Sequence, residues 1–125
     1  MASILHLPKV SIVVPIYQSS ATLERCLRSI LTQDYPAELL EVIVVDGGST
    51  DHGALLARRL GFRNVIQNPY RSGEAAKAIG LACATGEFVA FIDSDNILTH
   101  SGWLVQMIES MRSCQSVAAE PLYYT

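Results

Sequence analysis

Apolar residues in this chain fall into short continuous runs, and between them apolar positions recur at helical spacing. Val10-Ser11-Ile12-Val13-Val14-Pro15 is a β-branched run that predicts a buried strand ending at Pro15. Ser19-Ser20 offers an N-cap, followed by Leu23, Cys26, Leu27, Ile30 and Leu31 at the spacing of one helix face, with Pro36 ending the element. Glu41-Val42-Ile43-Val44-Val45-Asp46 predicts a second strand, closed by Gly47-Gly48. Ser49-Thr50-Asp51 is a capping cluster for a helix running through Leu55, Leu56 and Leu60 to Gly61. Phe62 to Gln67 predicts a short third strand and Asn68-Pro69 a turn. Gly73 to Ala84 is Ala-rich and helical, ending at Gly86. Glu87-Phe88-Val89-Ala90-Phe91-Ile92-Asp93 is the most apolar strand and is expected to be buried on both faces. Thr99 or Ser101 caps a last helix with Leu104, Met107, Ile108 and Met111 on one stripe, and Ser116 to Ala119 is expected to begin another strand.

Strands alternating with helices predict a parallel sheet with right-handed crossovers. Ligands of such open sheets bind outside the carboxyl ends of the strands. Tyr17-Gln18, Asp46-Gly47-Gly48 and Asp93-Ser94-Asp95 each follow a strand, so all three clusters are expected at one sheet edge.

Composition narrows the class. The 125 residues suit one domain, spanning residues 1–125, and 50% hydrophobic with 17% charged residues excludes intrinsic disorder. A net charge of -3 without a Lys/Arg cluster argues against nucleic acid as a partner. A mean hydropathy of +0.27 fits fully buried strands or a face that meets something else, a second copy included. No apolar run reaches the roughly 18 residues of a membrane span, and Met1 to Pro8 is too short and uncharged for a signal peptide. Cys26, Cys83 and Cys114 are odd in number and far apart, neither a disulfide framework nor a zinc spacing, which fits a reducing, cytoplasmic compartment. Cys26 and Cys83 are expected to be buried thiols in helices.

Asp93-Ser94-Asp95 is the strongest chemical candidate. Residues two apart in extended chain project to one side, and two close carboxylates repel unless a cation relieves them. Magnesium takes one or two carboxylates and fills its shell with water and phosphate oxygens, so the pair reads as half a metal site. A bare Asp-x-Asp is more often a capped strand end; the apolar strand before it and the acidic end at Asp46 favour the metal. The Asp46 carboxylate suits a base imide N–H or a ribose hydroxyl, whereas Asp51 is expected only to cap. Gly47-Gly48 lets backbone approach a ligand but, with no Gly-Lys-Ser/Thr downstream, forms no phosphate loop. Tyr17, leaving the strand after Pro15, either stacks on a base or packs on its neighbours. Arg71, Lys77 and Lys9 are candidate cations for a diphosphate, with a solvated role equally open for Arg71. His6, His52 and His100 stand alone, without a Ser or Cys partner at a motif spacing.

Four ordered stretches, Val10 to Tyr17 (VSIVVPIY), Cys26 to Pro36 (CLRSILTQDYP), Val42 to Asp51 (VIVVDGGSTD) and Ala84 to Asp95 (ATGEFVAFIDSD), together resemble the family 2 inverting glycosyltransferases. The resemblance covers about Lys9 to Trp103. It implies a Rossmann-like three-layer α/β/α fold with a mainly parallel sheet of order about 3-2-1-4, a truncated GT-A domain. It implies a nucleotide site of Pro15, Tyr17, Asp46, Gly47, Arg71, Lys77, Asp93 and Ser94, with Asp95 and Asp93 toward Mg2+ or Mn2+. The expected partner is a nucleotide-diphosphate sugar, UDP-sugar favoured, whose sugar passes to an acceptor hydroxyl with inversion. Gln18 stands where the family usually has Asn, and the family's Ala-Arg-Asn-x-Gly is here Ala76-Lys77-Ala78-Ile79-Gly80, which weakens a bidentate phosphate contact. Nothing after Trp103 resembles the family's general-base motif, and Glu120 is too isolated to stand in. The chain therefore reads as a nucleotide-binding half with no catalytic base of its own, in a cytoplasmic setting, with a longer form expected at a membrane's cytoplasmic face.

Two other classes compete. One is a non-catalytic nucleotide-binding or oligomerisation module. The other, a phosphoryl-transfer enzyme of doubly wound fold, needs Asp-x-Asp followed by Thr, whereas Asp95 is followed by Asn96-Ile97.

Overall fold

The computed structural model describes residues 7–114. Strands β1 (Val10–Ile16), β2 (Leu40–Asp46), β3 (Val65–Gln67) and β4 (Phe88–Phe91) alternate with helices α1 (Ser20–Leu31), α2 (Gly53–Arg59), α3 (Gly73–Cys83) and α4 (Trp103–Cys114). A single 3-10 turn, Ala37–Leu39, leads into β2. The expected further strand at Ser116 to Ala119 and the residue Glu120 lie outside the described residues. The sheet is parallel throughout, in the order β3-β2-β1-β4.

Alternation along β1 explains the layers. Val10, Ile12, Val14 and Ile16 point to one face and pack with Leu23, Cys26, Leu27 and Ile30 of α1, Ala57 of α2, and Leu104 and Ile108 of α4. Val13, with Ile43 and Val45 of β2, points to the other face and meets Ala76 of α3. Two helical layers thus sandwich the sheet. Such double coverage is what makes β1 and β2 nearly continuous apolar runs. The α3 layer sits close because residue 80 is glycine: a Cβ there would stand 2.3 Å from Val13 Cγ1.

Three expectations change. β4 is the most apolar run in sequence but is only partly buried, with Phe91 44% exposed. It pairs with β1 alone among the described residues, the edge position that the expected order 3-2-1-4 gives it, and an edge strand is covered less fully than a central one. α2 is shorter than expected, because His52 holds a left-handed φ of 67° and the helix starts only at Gly53. Cys26 is buried as expected, but Cys83 is exposed at the end of α3.

Register places the strand ends. Ile16 is level with Asp46, and Asp46 with Gln67. Past the last β4 pair, Val13 with Phe91, Ile92 N–H donates to Val13 O at 3.0 Å, which carries the chain along β1 toward the same edge.

Candidate functional site at the carboxyl edge of the sheet

The three clusters expected at one edge do meet there. Gly47 N–H donates to Ile16 O at 2.9 Å, and a Cβ on Gly47 would lie 3.5 Å from Tyr17 Cδ1, so the exits of β1 and β2 touch. Ser94 Oγ donates to Ser19 Oγ at 2.9 Å, and Cys26 Sγ reaches Asp93 O at 3.6 Å, so the exit of β4 joins them.

Asp46 is 3% exposed. Its Oδ1 accepts from the Gly48 and Ser49 amides at 3.2 and 2.9 Å, a turn in which Gly48 takes φ 95°, a region that favours glycine. The second carboxylate oxygen has no partner among the described residues. Half-buried Pro15 precedes Tyr17, whose ring is 50% exposed beside Gly47.

Asp93-Ser94-Asp95 is not extended. Asn96 N–H donates to Asp93 O at 3.0 Å, closing a turn over residues 93–96. The expected alternation therefore gives way to turn geometry once β4 has lost its pairing. Both carboxylates are exposed, and neither has a hydrogen bond or ion pair among the described residues. Their uncompensated charge is felt below: burial first, then Asp95 and Asp93, pushes the Cys26 thiol up to about 11. Among the described residues no three His, Cys, Asp or Glu side chains gather to hold an ion by themselves. Two free carboxylates with no third protein ligand fit a hard divalent cation that completes its shell with water and phosphate oxygens.

The cations divide. Arg71, at φ 61°, sits so that its Nε is 3.8 Å from where a Cβ on Gly48 would be, within the Asp46 loop. Lys77 lies a turn along α3, 4.0 Å from Glu74 on its exposed side. Lys9 precedes β1 at the opposite end of the sheet and donates to Thr85 Oγ1, so it is no diphosphate ligand of this edge. An open groove of about 580 Å³, lined by Lys9, Tyr35, Glu38, Leu40, Arg63 and Asn64 among others, also opens at that opposite end. That groove lies away from the carboxyl edge, where ligands of open parallel sheets bind.

Several supports had no sequence signature. Gln18, at a left-handed φ of 52°, folds its amide onto Thr50: Nε2 donates to Oγ1 at 2.9 Å and Oε1 accepts from the Thr50 amide at 2.7 Å. Asparagine is more at ease than glutamine in that backbone region. Asp51 caps, as expected, but bridges two helices: it accepts from Ser20 N at 2.9 Å and from Gly53 N at 3.2 Å. The Ser20 amide, with weaker help from Gly53, holds its carboxyl below the ordinary value. Ser19 makes no side-chain cap on α1, its hydroxyl being taken by Tyr17 and Ser94.

A parallel α/β sheet of order β3-β2-β1-β4 between two helical layers, with the three clusters at its carboxyl edge, has the architecture of the GT-A kind. The glycosyl transferase family 2 model matches residues 11–124, and the chain belongs to that family. It is 30% identical over 110 residues to glycosyltransferase AglE of Haloferax volcanii, covering 84% of this chain and 36% of that protein. Among solved structures it is similar to mannosyltransferase PcManGT of Pyrobaculum calidifontis in complex with GDP-Man and Mn2+, at TM-score 0.79 and 30% identity, covering 86% of this chain and 33% of that one. It is similar also to Staphylococcus aureus TarS in complex with UDP-GlcNAc, at TM-score 0.74 and 27% identity, covering 91% of this chain and 37% of that one. The chain thus spans about a third of the length of each of these three proteins. Among the described residues no helix is long and apolar enough to cross a membrane.

Proposed function

We propose that this chain binds a nucleotide-diphosphate sugar as the donor half of an inverting glycosyltransferase. The reading rests on one observation: buried Asp46, half-exposed Tyr17 and the unpartnered Asp93 and Asp95 converge on one sheet edge.

Each residue then has a task that its surroundings allow. The Tyr17 ring stacks on the base, with Pro15 setting its exit from β1. Asp46, pinned through one oxygen by the Gly48 and Ser49 amides, offers the other to a base imide N–H, and Gly47 leaves the approach open. Such an imide acceptor suits uracil, and UDP is favoured. The Ser94 hydroxyl and the Arg71 and Lys77 side chains face the ribose and diphosphate. Asp93 and Asp95 would hold Mg2+ or Mn2+. When bound, that ion supplies Lewis-acid stabilisation of the charge developing on the leaving nucleoside diphosphate. Asp93 and Asp95 would hold that ion at the diphosphate end, away from the face of the anomeric carbon that the acceptor hydroxyl approaches. No residue of this chain is assigned as the base that deprotonates that hydroxyl. It is proposed to come from the part of the relatives' length that this chain does not span, where any membrane association of a longer form would also lie. Three free thiols suit a reducing, cytoplasmic setting.

Equilibrium dialysis of labelled UDP with Mn2+ tests the base side of this site. Saturable uptake that falls about tenfold or more in Tyr17→Ala and in Asp46→Ala is expected, given stacking of about 1–3 kcal/mol per base. Uptake indifferent to both substitutions contradicts the assignment.

A second reading, a non-catalytic module that self-associates, draws on the outer edge of β4 and its exposed Phe91. Sedimentation velocity across a concentration series separates the two: a dimer abolished by Phe91→Lys, without UDP uptake, favours the module.

A further inference from the structure

Between the acidic turn and α4, residues 97–102 form neither helix nor strand, so no backbone ladder sets their path. Side chains at the far end of α1 do this instead. Ser29 Oγ accepts from Leu98 N–H at 3.0 Å while donating to Cys26 O at 2.6 Å. Two residues past the end of α1, Gln33 uses both halves of its amide: Nε2 donates to His100 O at 2.8 Å, and Oε1 accepts from Leu104 N–H at 2.9 Å. The neighbouring Asp34 N–H donates to Ser101 O at 2.8 Å. Gln33 is 8% exposed, so these bonds are shielded from competing water. Leu104 N–H is one of the amides left open at the start of α4, and Gln33 fills the part that a capping side chain would otherwise play.

Upstream, the turn is held by the Ser94 to Ser19 bond and by the Cys26 thiol on Asp93 O. Downstream, its support is this clamp. Two like charges held close repel, so a slack downstream arm lets Asp95 swing away from Asp93. We infer that Gln33 is a positioning residue for the cation site of Asp93 and Asp95, acting through residues 98–104. The inference rests on the cation reading proposed above. Gln33 touches neither the ion nor the nucleotide; it sets where the second carboxylate stands. A hydrogen bond made directly to a metal ligand is typically worth about 10–100-fold in metal affinity, and Gln33, one step further out, is expected at the lower end of that range.

The test uses the 125-residue chain and two variants. Gln33→Met keeps length and loses all the side-chain bonds, the one from Nε2 to Ser29 O at 3.4 Å included, whereas Gln33→Glu keeps the acceptor for Leu104 but sets a second oxygen against the His100 and Ser29 carbonyls. Calorimetry with UDP is run with and without Mn2+, and amide exchange is followed across the chain. The expected result is a fall of about tenfold in Mn2+-dependent UDP affinity for Gln33→Met, a fall at least as large for Gln33→Glu, and metal-free UDP affinity within about twofold of native. Exchange quickens at Leu98 and Leu104 and stays unchanged in β1 and β2. Equal losses with and without Mn2+, or faster exchange throughout the sheet, overturn the inference and leave Gln33 a support of the fold. So does a Gln33→Met chain that binds Mn2+ and UDP as the native chain does. A native chain showing no Mn2+ effect on UDP overturns the cation reading itself, a result visible before any variant is compared.

Discussion

The Ser94 hydroxyl donates to the Ser19 hydroxyl at 2.9 Å, joining the turn after β4 to the loop that leaves β1. Ser19 Oγ also accepts from Tyr17 N–H and donates to Tyr17 O, both at 3.2 Å. One hydroxyl therefore couples the tyrosine's backbone to the acidic turn. Ser94→Ala removes the coupling and leaves Ser19 with its Tyr17 partners, so urea unfolding is expected to shift by no more than about 1 kcal/mol. Ser19→Ala, which frees three groups at once, costs more.

Helix α3 rests on β1 through a glycine. A Cβ at residue 80 would meet Val13 Cγ1 and Cγ2 at 2.3 and 2.9 Å, and Val13 is wholly buried. Gly80→Ala is expected to destabilise by about 1–3 kcal/mol, although alanine is the better helix former. The loss is recovered in part when Val13→Ala is added, and a double-mutant cycle by urea unfolding reads that coupling.

At the sheet end away from the site, Glu41 Oε1 accepts from Ser11 Oγ at 2.7 Å and from Thr85 N–H at 2.9 Å. Burial would raise its carboxyl, but these bonds and the Lys9 charge outweigh that and hold it below the ordinary value. A folded value below the unfolded one means that its contribution is full above the ordinary carboxylate range and is lost as pH falls through the lowered value. Glu41→Gln is expected to flatten the fall in stability between about pH 6 and about pH 3, measured by denaturant midpoints. An unchanged slope would remove Glu41 from the acid response.

The three thiols differ in reach. Cys83 and Cys114 are exposed, while Cys26 is buried with its thiol pushed up to about 11. Labelling with a thiol reagent near neutral pH is expected to modify two sites quickly and Cys26 only on unfolding. Fast labelling of all three would contradict the packing of α1 under the acidic turn.

Much of this was legible along the chain. The β-branched runs at Val10 and Val42 read directly as buried strands, because a strand covered on both faces needs no polar alternation. The rule placing ligands at carboxyl ends then brings Tyr17, Asp46 and Asp93 together. Two things were not legible. The clamp at Gln33 joins residues 67 and 71 positions apart, and no periodicity records a single amide reaching that far. Likewise the turn at Asp93 follows from where β4 stops pairing rather than from its own residues.

Asp93 and Asp95 are proposed to bind a divalent cation together with a nucleoside diphosphate. Electron paramagnetic resonance of Mn2+ in the presence of UDP reads this directly, since ion taken up by the chain leaves the free-ion signal. The native chain is expected to remove Mn2+ from that signal only when UDP is present, and Asp95→Asn and Asp93→Asn to abolish the uptake. Uptake that persists with both carboxylates replaced, or that needs no UDP, would contradict the account.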